Sequence, residues 1–477
     1  MSQILDILNE LVNSDLKSPA KRKMIEGDKY YTAKNTEIFK RMSHTEPYSY
    51  SNGQIIDNRS FNEYNNIVVS GFLKTLIIQK VNYLLSNEPN IENFPELENV
   101  NIKNFLKSSL KEASKKSVCW IYTQIDIDGN IRLQKFPSEE IIAVYDSSTQ
   151  ETIEAIIHYY AIVVKNRQYK DEIVYYAEVY DKEKISYYIQ QVEDKKFVED
   201  VETQPKYYLY KKTSSVIAEN IEPISLGIVP FTPLYNNEEK LTDLEPIKTH
   251  IDIRDIVISD FANNLEEIQQ SAIKLIGYNS DNESLSDFMT KLKKYKVLPL
   301  DTEGGADYMT MEIPVEAKKT MIELLRKDIF MFGQGVDPDE LTKSNITNQQ
   351  IRSHYSLLDL KSDETESQIM DFMERLKNMI NVFNMYLSKP VITGSLKMHF
   401  NRSIIINEAE KVQNALQSVN VVSRRTIYER HPWISDIDEE FKRLEAESKL
   451  EYLKPNENNT QKPDNSNSNI DDSKPAN

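Results

Sequence analysis

The stretch LTDLEPIKTHIDIRDIVISDFANNLEEIQQSAIKLIG (Leu241–Gly277) decides the reading of this chain. Its apolar residues recur at alternating steps of three and four: Leu244, Ile247, Ile251, Ile258, Phe261, Leu265, Ile268, Ala272 and Leu275. Arg254 alone breaks the series. That spacing predicts one helix with an apolar stripe. Thr242 or Asp243 can cap its start, and Pro246 falls in the first turn, where a missing N–H costs little. Gly277 suits its end. At 1.5 Å per residue such a helix is roughly 50 Å long. It reads either as a long packing helix or as a strut in a large assembly.

The segments that follow extend the pattern. Gly277–Phe288 is a polar loop leading into a short helical piece, followed by a basic run of Lys291, Lys293, Lys294 and Lys296. Val297–Leu300 and Tyr308–Ile313 read as short strands, with Glu303-Gly304-Gly305 turning between them. Pro314 opens a second helix, Val315–Phe332, with Met321, Leu325, Ile329 and Phe332 on one face, and Gly333-Gln334-Gly335 stops it. A polar loop runs to about Ile346. Thr347 and Gln350 have capping-box spacing at the head of a third helix. Its stripe is Ile351, Tyr355, Leu358, Ser362, Thr365, Ile369, Phe372, Leu376, Met379, Phe383 and Leu387. The polar pair Ser362 and Thr365 predicts a kink or solvent exposure there.

Four stretches carry a resemblance in this order. They are KRKMIEGDKYYTAKNTEIF (Lys21–Phe39), NNIVVSGFLKTLIIQKVNYLLSNEPNI (Asn65–Ile91), IVPFTPLYNNEEKLTDLEPIKTHIDIRDIVISDFANNLEEI (Ile228–Ile268) and LKKYKVLPLDTEGGADYMTMEIPVEAKKTMIELLRKDIFMFGQGVD (Leu292–Asp337). Together they resemble the portal proteins of tailed bacteriophages, in the family found in long-tailed phages of Gram-positive hosts, across most of residues 20–450. VVSRRTIYERHPWISDIDEEFKRLEAE (Val421–Glu447) resembles the crown of that family. One departure falls after the second helix. The family often has a Gly/Ser-rich stretch there, whereas this chain reads DPDELTKSNITNQQIRSHYSLL (Asp337–Leu358).

The resemblance implies an α+β portal-type fold. Residues 1–240 form a wing, helical over 1–115 and mostly β over 117–235. Residues 241–276 form a stem helix, 277–313 a clip and 314–332 a second stem helix. Residues 333–346 form a channel loop, 347–403 a long kinked wing helix with strands after it, and 404–453 a helical crown. It implies a homo-oligomeric ring of twelve subunits at one capsid vertex of the virion, assembled in the host cytoplasm. Double-stranded DNA passes through its channel during packaging and ejection. The other implied partners are the terminase large subunit, scaffolding and major capsid proteins, and a head–tail adaptor. Gln334, Asp337, Lys343, Ser344 and Asn345 then face the DNA, and Lys291, Lys293, Lys294 and Lys296 contact DNA or a partner. The alternative is a helical scaffold or adaptor that binds only protein.

Composition agrees with this reading without compelling it. The 477 residues hold 58 basic and 75 acidic side chains, a net charge of −17. A gripping nucleic-acid binder is usually basic. An acidic wall repels phosphate and lets a duplex slide, although acidity also serves solubility. Cys119 is the sole cysteine, which excludes an internal disulfide and suits a buried structural thiol. The N-terminus lacks the cationic start and apolar core of a signal peptide, and no run reaches 18 apolar residues, so no membrane partner is expected.

Elsewhere the chain reads as helices before residue 115, among them one carrying Ile67, Phe72, Leu76, Ile77, Val81, Leu84 and Leu85. Antiparallel strands follow over 117–235, with Asp128-Gly129 as a hairpin turn rather than part of a calcium loop. The many tyrosines there suit strand-face packing and subunit contact. Pro223–Asn237 reads as a linker. Residues 388–403 suit one or two strands. Ile405–Asn420 reads as a helix with Val412, Ala415, Leu416 and Val419 inward, and Ser423–Arg430 and Ile437–Tyr452 as two more. Lys454–Asn477 has a disordered composition. There is no P-loop, no H-E-x-x-H and no G-x-S-x-G. No catalytic residue, metal site or cofactor is expected, and the chain does not read as an enzyme.

Overall fold

The computed structural model describes the chain except residues 1, 44–47, 52–53, 58–65, 88, 93, 95–96, 98–99, 127–128, 149–151, 166–170, 192–194, 215–218, 269–271, 277–304, 310–313, 343–346, 401, 403–407, 420, 430–433, 435–436 and 453–477. It falls into two units. One holds Met1–Lys343 with Arg352–Ile404, the other Ser344–Ile351 with Ile405–Asn477. The fold is mixed α+β, with helices and small antiparallel sheets.

The first unit opens on α1 (Ser2–Asp15), α2 (Pro19–Tyr31) and α3 (Thr36–Ser43). Ser18 caps α2 by accepting from the Lys21 N–H at 3.1 Å, with Pro19 in the first turn. A hairpin of β1 (Tyr48–Ser51) and β2 (Gln54–Asp57) follows. Then comes α4 (Phe72–Leu85), which buries Leu73, Leu76, Ile77, Val81, Leu84 and Leu85. Ile67 is not on this helix. It lies in an irregular segment ahead of it. After β3 (Asn90–Glu92), α5 (Ile102–Lys116) is capped by Asn101. Gly27 of α2 meets α5 so closely that a Cβ would stand 2.0 Å from the Lys115 carbonyl oxygen.

The strands sort into a main sheet and a smaller one. In the smaller, β4 (Val118–Ile125) pairs with β5 (Ile131–Phe136), Trp120 opposite Phe136, and Gly129 between them has φ +79°. A type of turn needing positive φ explains the glycine. The main sheet comprises β6 (Ile141–Tyr145), β7 (Ile153–Lys165), β8 (Asp171–Tyr180), β9 (Lys184–Gln190) and β10 (Phe197–Glu199), in order 10-9-8-7-6, with β11 (Lys206–Tyr207) also on β9. β12 (Leu209–Ser214) and β13 (Glu219–Ile224) form a separate ribbon. Tyr122, Tyr159 and Tyr180 are buried, so these tyrosines pack within the chain. Tyr122 and Tyr180 stand edge to face at 5.4 Å.

Pro223–Asn237 is not a linker. Its second half is β14 (Phe231–Tyr235), buried and paired with β4, Phe231 opposite Tyr122. Pro233 is tolerated because β14 is an edge strand of the β14-β4-β5 sheet.

Helix α6 (Lys248–Ile268) corrects the opening reading at both ends. Residues 243–247 form turns, and Ala272–Ile276 is a strand, β15, paired with β16 (Gly305–Met309). Ala272 and Leu275 fit helical spacing, but Ile273 and Ile276 are β-branched and favour the extended form. The strand read at Tyr308–Ile313 therefore begins at Gly305, inside the expected turn, and its partner is β15. Val297–Leu300 lies outside the described residues. Arg254 does not break the buried side, since its guanidinium lies 4.8 Å from the Phe72 ring centroid.

α6 also carries a polar row. Asp255, Ser259 and Asn263 accept the N–H groups of Ser70 (3.2 Å), Val68 (3.0 Å) and Asn66 (2.8 Å). Four helical residues rise about 6.0 Å and two extended residues about 6.6 Å, so the two repeats run in step. Asn35 adds a 2.5 Å bond to Asp255, and the Tyr30 hydroxyl donates to Asp252.

α7 (Val315–Phe332) has the expected bounds, and α8 (Pro338–Leu341) is one short turn. α9 (Asn348–Tyr386) is one unbroken helix of 39 residues. Its capping box forms as read: the Thr347 N–H donates to Gln350 Oε1 at 2.9 Å and the Gln350 N–H to Thr347 Oγ1 at 3.3 Å. Ser362 and Thr365 are buried rather than exposed. The Thr365 hydroxyl satisfies itself on the Lys361 carbonyl at 2.7 Å, and the helix continues through both. β17 (Lys397–His399) pairs with β3. The core joins α4, α5, α7 and α9 to Leu244, Ile247 and Ile251.

The second unit holds α10 (Glu408–Gln417), α11 (Arg424–Glu429) and α12 (Ile437–Tyr452), with Tyr428 against Phe441 at 5.2 Å. Leu416 and Val419, expected inward, are exposed. So few short helices enclose little surface.

His158 sits between two carboxylates, with Nδ1 3.2 Å from Glu178 and Nε2 3.2 Å from Glu140. Burial pulls its pKa down, but the two carboxylates outweigh burial and hold it above the ordinary value. A histidine raised in the folded state contributes stability below its unfolded pKa and loses it as pH rises through the folded one. His158→Gln is expected to cost on the order of 2 kcal/mol at pH 6. The difference from the parent should narrow in alkaline buffer, as read by thermal unfolding across pH.

Candidate functional site

The site is the base of the loop that leaves α7. Four elements converge on it, and each contributes a specific contact. Gly333 and Gly335 pass against α4, where a Cβ on Gly335 would stand 2.1 Å from Leu76 and one on Gly333 2.6 Å from the same side chain. These glycines are required by close approach, not by a nucleotide. The side-chain amide of Gln79 clamps the next residue from both sides: Nε2 donates to the Val336 carbonyl at 2.8 Å, and Oε1 accepts the Val336 N–H at 3.2 Å. Arg326 of α7 reaches Asp337 at 2.6 Å and also pairs with Asp339. Asp337 in turn caps α8 through the Asp339 N–H at 3.1 Å.

Behind the loop lies a buried ionic group. Lys80 of α4 approaches Asp243 at 2.7 Å, with side-chain exposures of 1% and 4%. Lys361 of α9 approaches the same carboxylate at 3.3 Å and donates to the Gly333 carbonyl at 2.9 Å. Asn236 bridges, accepting from Lys80 at 2.7 Å and donating to Asp243 at 3.0 Å. Burial pushes the Asp243 carboxyl up, but Lys361 and Lys80 outweigh it and hold it well below the usual carboxylate range. Burial pulls Lys80 down to about 8, against the opposing pull of Asp243. Asp243 therefore does not cap α6. Its charge is committed to two lysines, and the Thr242 N–H is taken instead by Glu245 at 3.1 Å.

α6 and α7 pack as an antiparallel pair. His250 meets Phe332 at 5.1 Å near one end, and Lys318 lies 5.5 Å over the Phe261 ring toward the other. Met321, Leu324, Met331 and Phe332 of α7 are 41% to 52% exposed on this single chain.

Of the residues read as DNA-facing, Gln334 and Asp337 lie in the described loop base. Gln334 has φ +52°, and Asp337 is engaged by Arg326 and α8, so Asp337 is an anchor of the loop rather than a free surface group. Lys343, Ser344 and Asn345, and the run Lys291, Lys293, Lys294 and Lys296, lie outside the described residues. The sequence reading missed Lys80, Gln79, Asp243 and Lys361 as partners. One signal existed: Lys80 falls on the buried side of α4 with Leu76, Ile77 and Leu84, where an unpaired lysine is not tolerated.

The family model described as "Phage portal protein, SPP1 Gp6-like" matches residues 18–451. The chain belongs to this family of phage portal proteins. It is similar to a portal protein of Clostridium phage phiCD119, 26% identical over 476 residues, covering 94% of this chain and 97% of the relative. It is also similar to a portal protein of Bacillus phage SPP1, 27% identical over 442 residues, covering 89% of this chain and 83% of the relative. Membership carries, in general terms, the role of a capsid protein through which phage DNA is packaged. No helix among the described residues is long and apolar enough to cross a membrane.

Removing one partner of a buried ion pair strands the other, at about 3–5 kcal/mol. Asp243→Ala is expected to cost this much, because it strands two ammoniums. Lys80→Met should cost less, since Lys361 still balances Asp243. Denaturant midpoints of the two variants check the order.

Proposed function

We propose that copies of this portal-family chain close into a ring of twelve at one capsid vertex and form the conduit for DNA packaging and ejection. α6 and α7 form the stem. Residues 277–313 form the clip, on which the terminase large subunit docks first and a head–tail adaptor later. Residues 333–346 form a loop entering the channel, α9 spans the wing above it, and α10, α11 and α12 form the crown. Major capsid and scaffolding proteins surround the ring.

The observation that carries this reading is the exposed apolar side of α7 within a family match that spans both stem helices. Met321, Leu324, Met331 and Phe332 recur at steps of three, seven and one, so they lie along one side of the helix. An apolar side of that kind marks a contact with another protein surface. In a ring each copy offers one surface to one neighbour and a different surface to the other. The net charge of −17 suits the wall of a conduit, since phosphate is not gripped there. The anchored loop base also fits: Gln79, Arg326 and Lys361 hold residues 333–339.

Leu324→Glu combined with Met331→Glu tests the stem. Native mass should fall from a ring to a monomer, while circular dichroism and the unfolding midpoint stay near those of the parent. A ring of unchanged mass would contradict the assignment of that side. Lys343→Glu tests the loop: rings should persist and the DNA content of particles should change. Unchanged DNA content would remove the loop from the mechanism.

A further inference from the structure

The ionic group behind the loop base borders a cavity of about 320 Å³. Its lining includes Lys80, Thr242, Asp243, Phe332, Lys361 and Glu364. Cavities of this size suit small ligands.

Three donor groups on its wall have unused capacity. An ammonium has three N–H donors. Lys80 gives one to Asn236 and forms an ion pair at 2.7 Å with Asp243 Oδ2, which has no hydrogen-bond partner. Lys361 gives one to the Gly333 carbonyl and pairs with Asp243 at 3.3 Å. Each keeps a third donor with no acceptor among the described residues. The third group is Thr242, whose side-chain oxygen is buried and has no hydrogen-bond partner, the residue being 3% exposed. A buried hydroxyl without a partner costs free energy unless something fills the gap.

The carboxylates nearby are engaged in part. Asp243 is shared between both lysines. Glu245 pairs with Lys23 and accepts the Thr242 N–H. One oxygen of Glu364 accepts the Glu238 N–H at 3.2 Å. The buried Lys80 and the partly buried Lys361 thus share Asp243 as their paired carboxylate, and burial holds the Lys80 pKa down.

We propose that this cavity binds a small oxyanion, of the class of inorganic phosphate or a carboxylate, held by the Lys80 and Lys361 ammoniums and the Thr242 hydroxyl. Charge-assisted hydrogen bonds of this kind are the strong ones. The anion would sit beside the ammonium that holds the Gly333 carbonyl, so its binding adds to the fixing of the loop base. The proposal rests on these contacts and not on ring assembly.

The test is thermal unfolding of the full chain in sodium phosphate, with sodium chloride at matched ionic strength as control. The parent should show a saturable rise in midpoint with phosphate that chloride does not reproduce. Parallel titrations with sulfate and acetate separate a tetrahedral preference from a planar one. Thr242→Val keeps the side-chain shape and should weaken the phosphate effect at least tenfold, without lowering the midpoint in phosphate-free buffer. Lys361→Met should abolish the effect. If Lys361→Met fails to fold, Thr242→Val decides alone. A rise no larger than that in chloride, or the same half-saturating phosphate concentration in parent and Thr242→Val, would overturn the proposal.

Discussion

A lysine ammonium cannot remain charged in a protein interior without a carboxylate beside it, because the loss of hydration exceeds what packing returns. Lys80 sits on the buried side of α4, so its partner Asp243 must be brought to it. Asp243 lies just ahead of α6, and Lys361 of α9 completes the group while holding the carbonyl that ends α7. One carboxylate therefore ties α4 to α9 beside the turns that precede α6 and the residue that follows α7.

A second constraint acts along α6. Its first turn and the turns before it send Ile251, Leu244 and Ile247 into the core, and its polar row, Asp255, Ser259 and Asn263, ties down the segment at 66–70. The near-equality of four helical rises and two extended rises lets one helix act as the hydrogen-bonding edge for an extended chain. That segment leads directly into α4, so the helix that carries Lys80 is approached from a fixed direction. Backbone N–H groups that a sheet would otherwise satisfy are met by side chains instead. The result is a helix with two committed sides before any second copy is present.

Much of this was legible where local chemistry is strong. Pro314 and Gly333 punctuate α7, and its bounds follow from them. Thr347 and Gln350 announce α9 by a reciprocal cap. Alternating Ile, Val and Tyr marked the strands. The errors have common physical origins. Three-residue spacing does not distinguish helix from strand at Ala272 and Leu275, so β15 was absorbed into α6. Proline suggested a linker at Pro233 because edge pairing depends on a distant strand. Asn52-Gly53 is a hairpin signal between β1 and β2 that the helical reading of the N-terminal region passed over. At the candidate site, the loop stop and Asp337 were visible, but not their anchors. Asp243 lies 163 positions after Lys80 and 118 before Lys361, by their numbers, and no local pattern pairs them. A polar row on a helix is also discounted when only apolar periodicity is weighed, which is why Ser362 and Thr365 suggest a kink or exposure in the sequence.

The family match over residues 18–451 covers both helices of the proposed stem and the base of the loop after α7. The measurement that tests the proposed ring most directly is the native mass of the purified parent protein, with particle images from the same fraction. The account requires a closed ring of about twelve copies with an open axial hole wide enough for a duplex. A closed dimer or tetramer without a channel would contradict it.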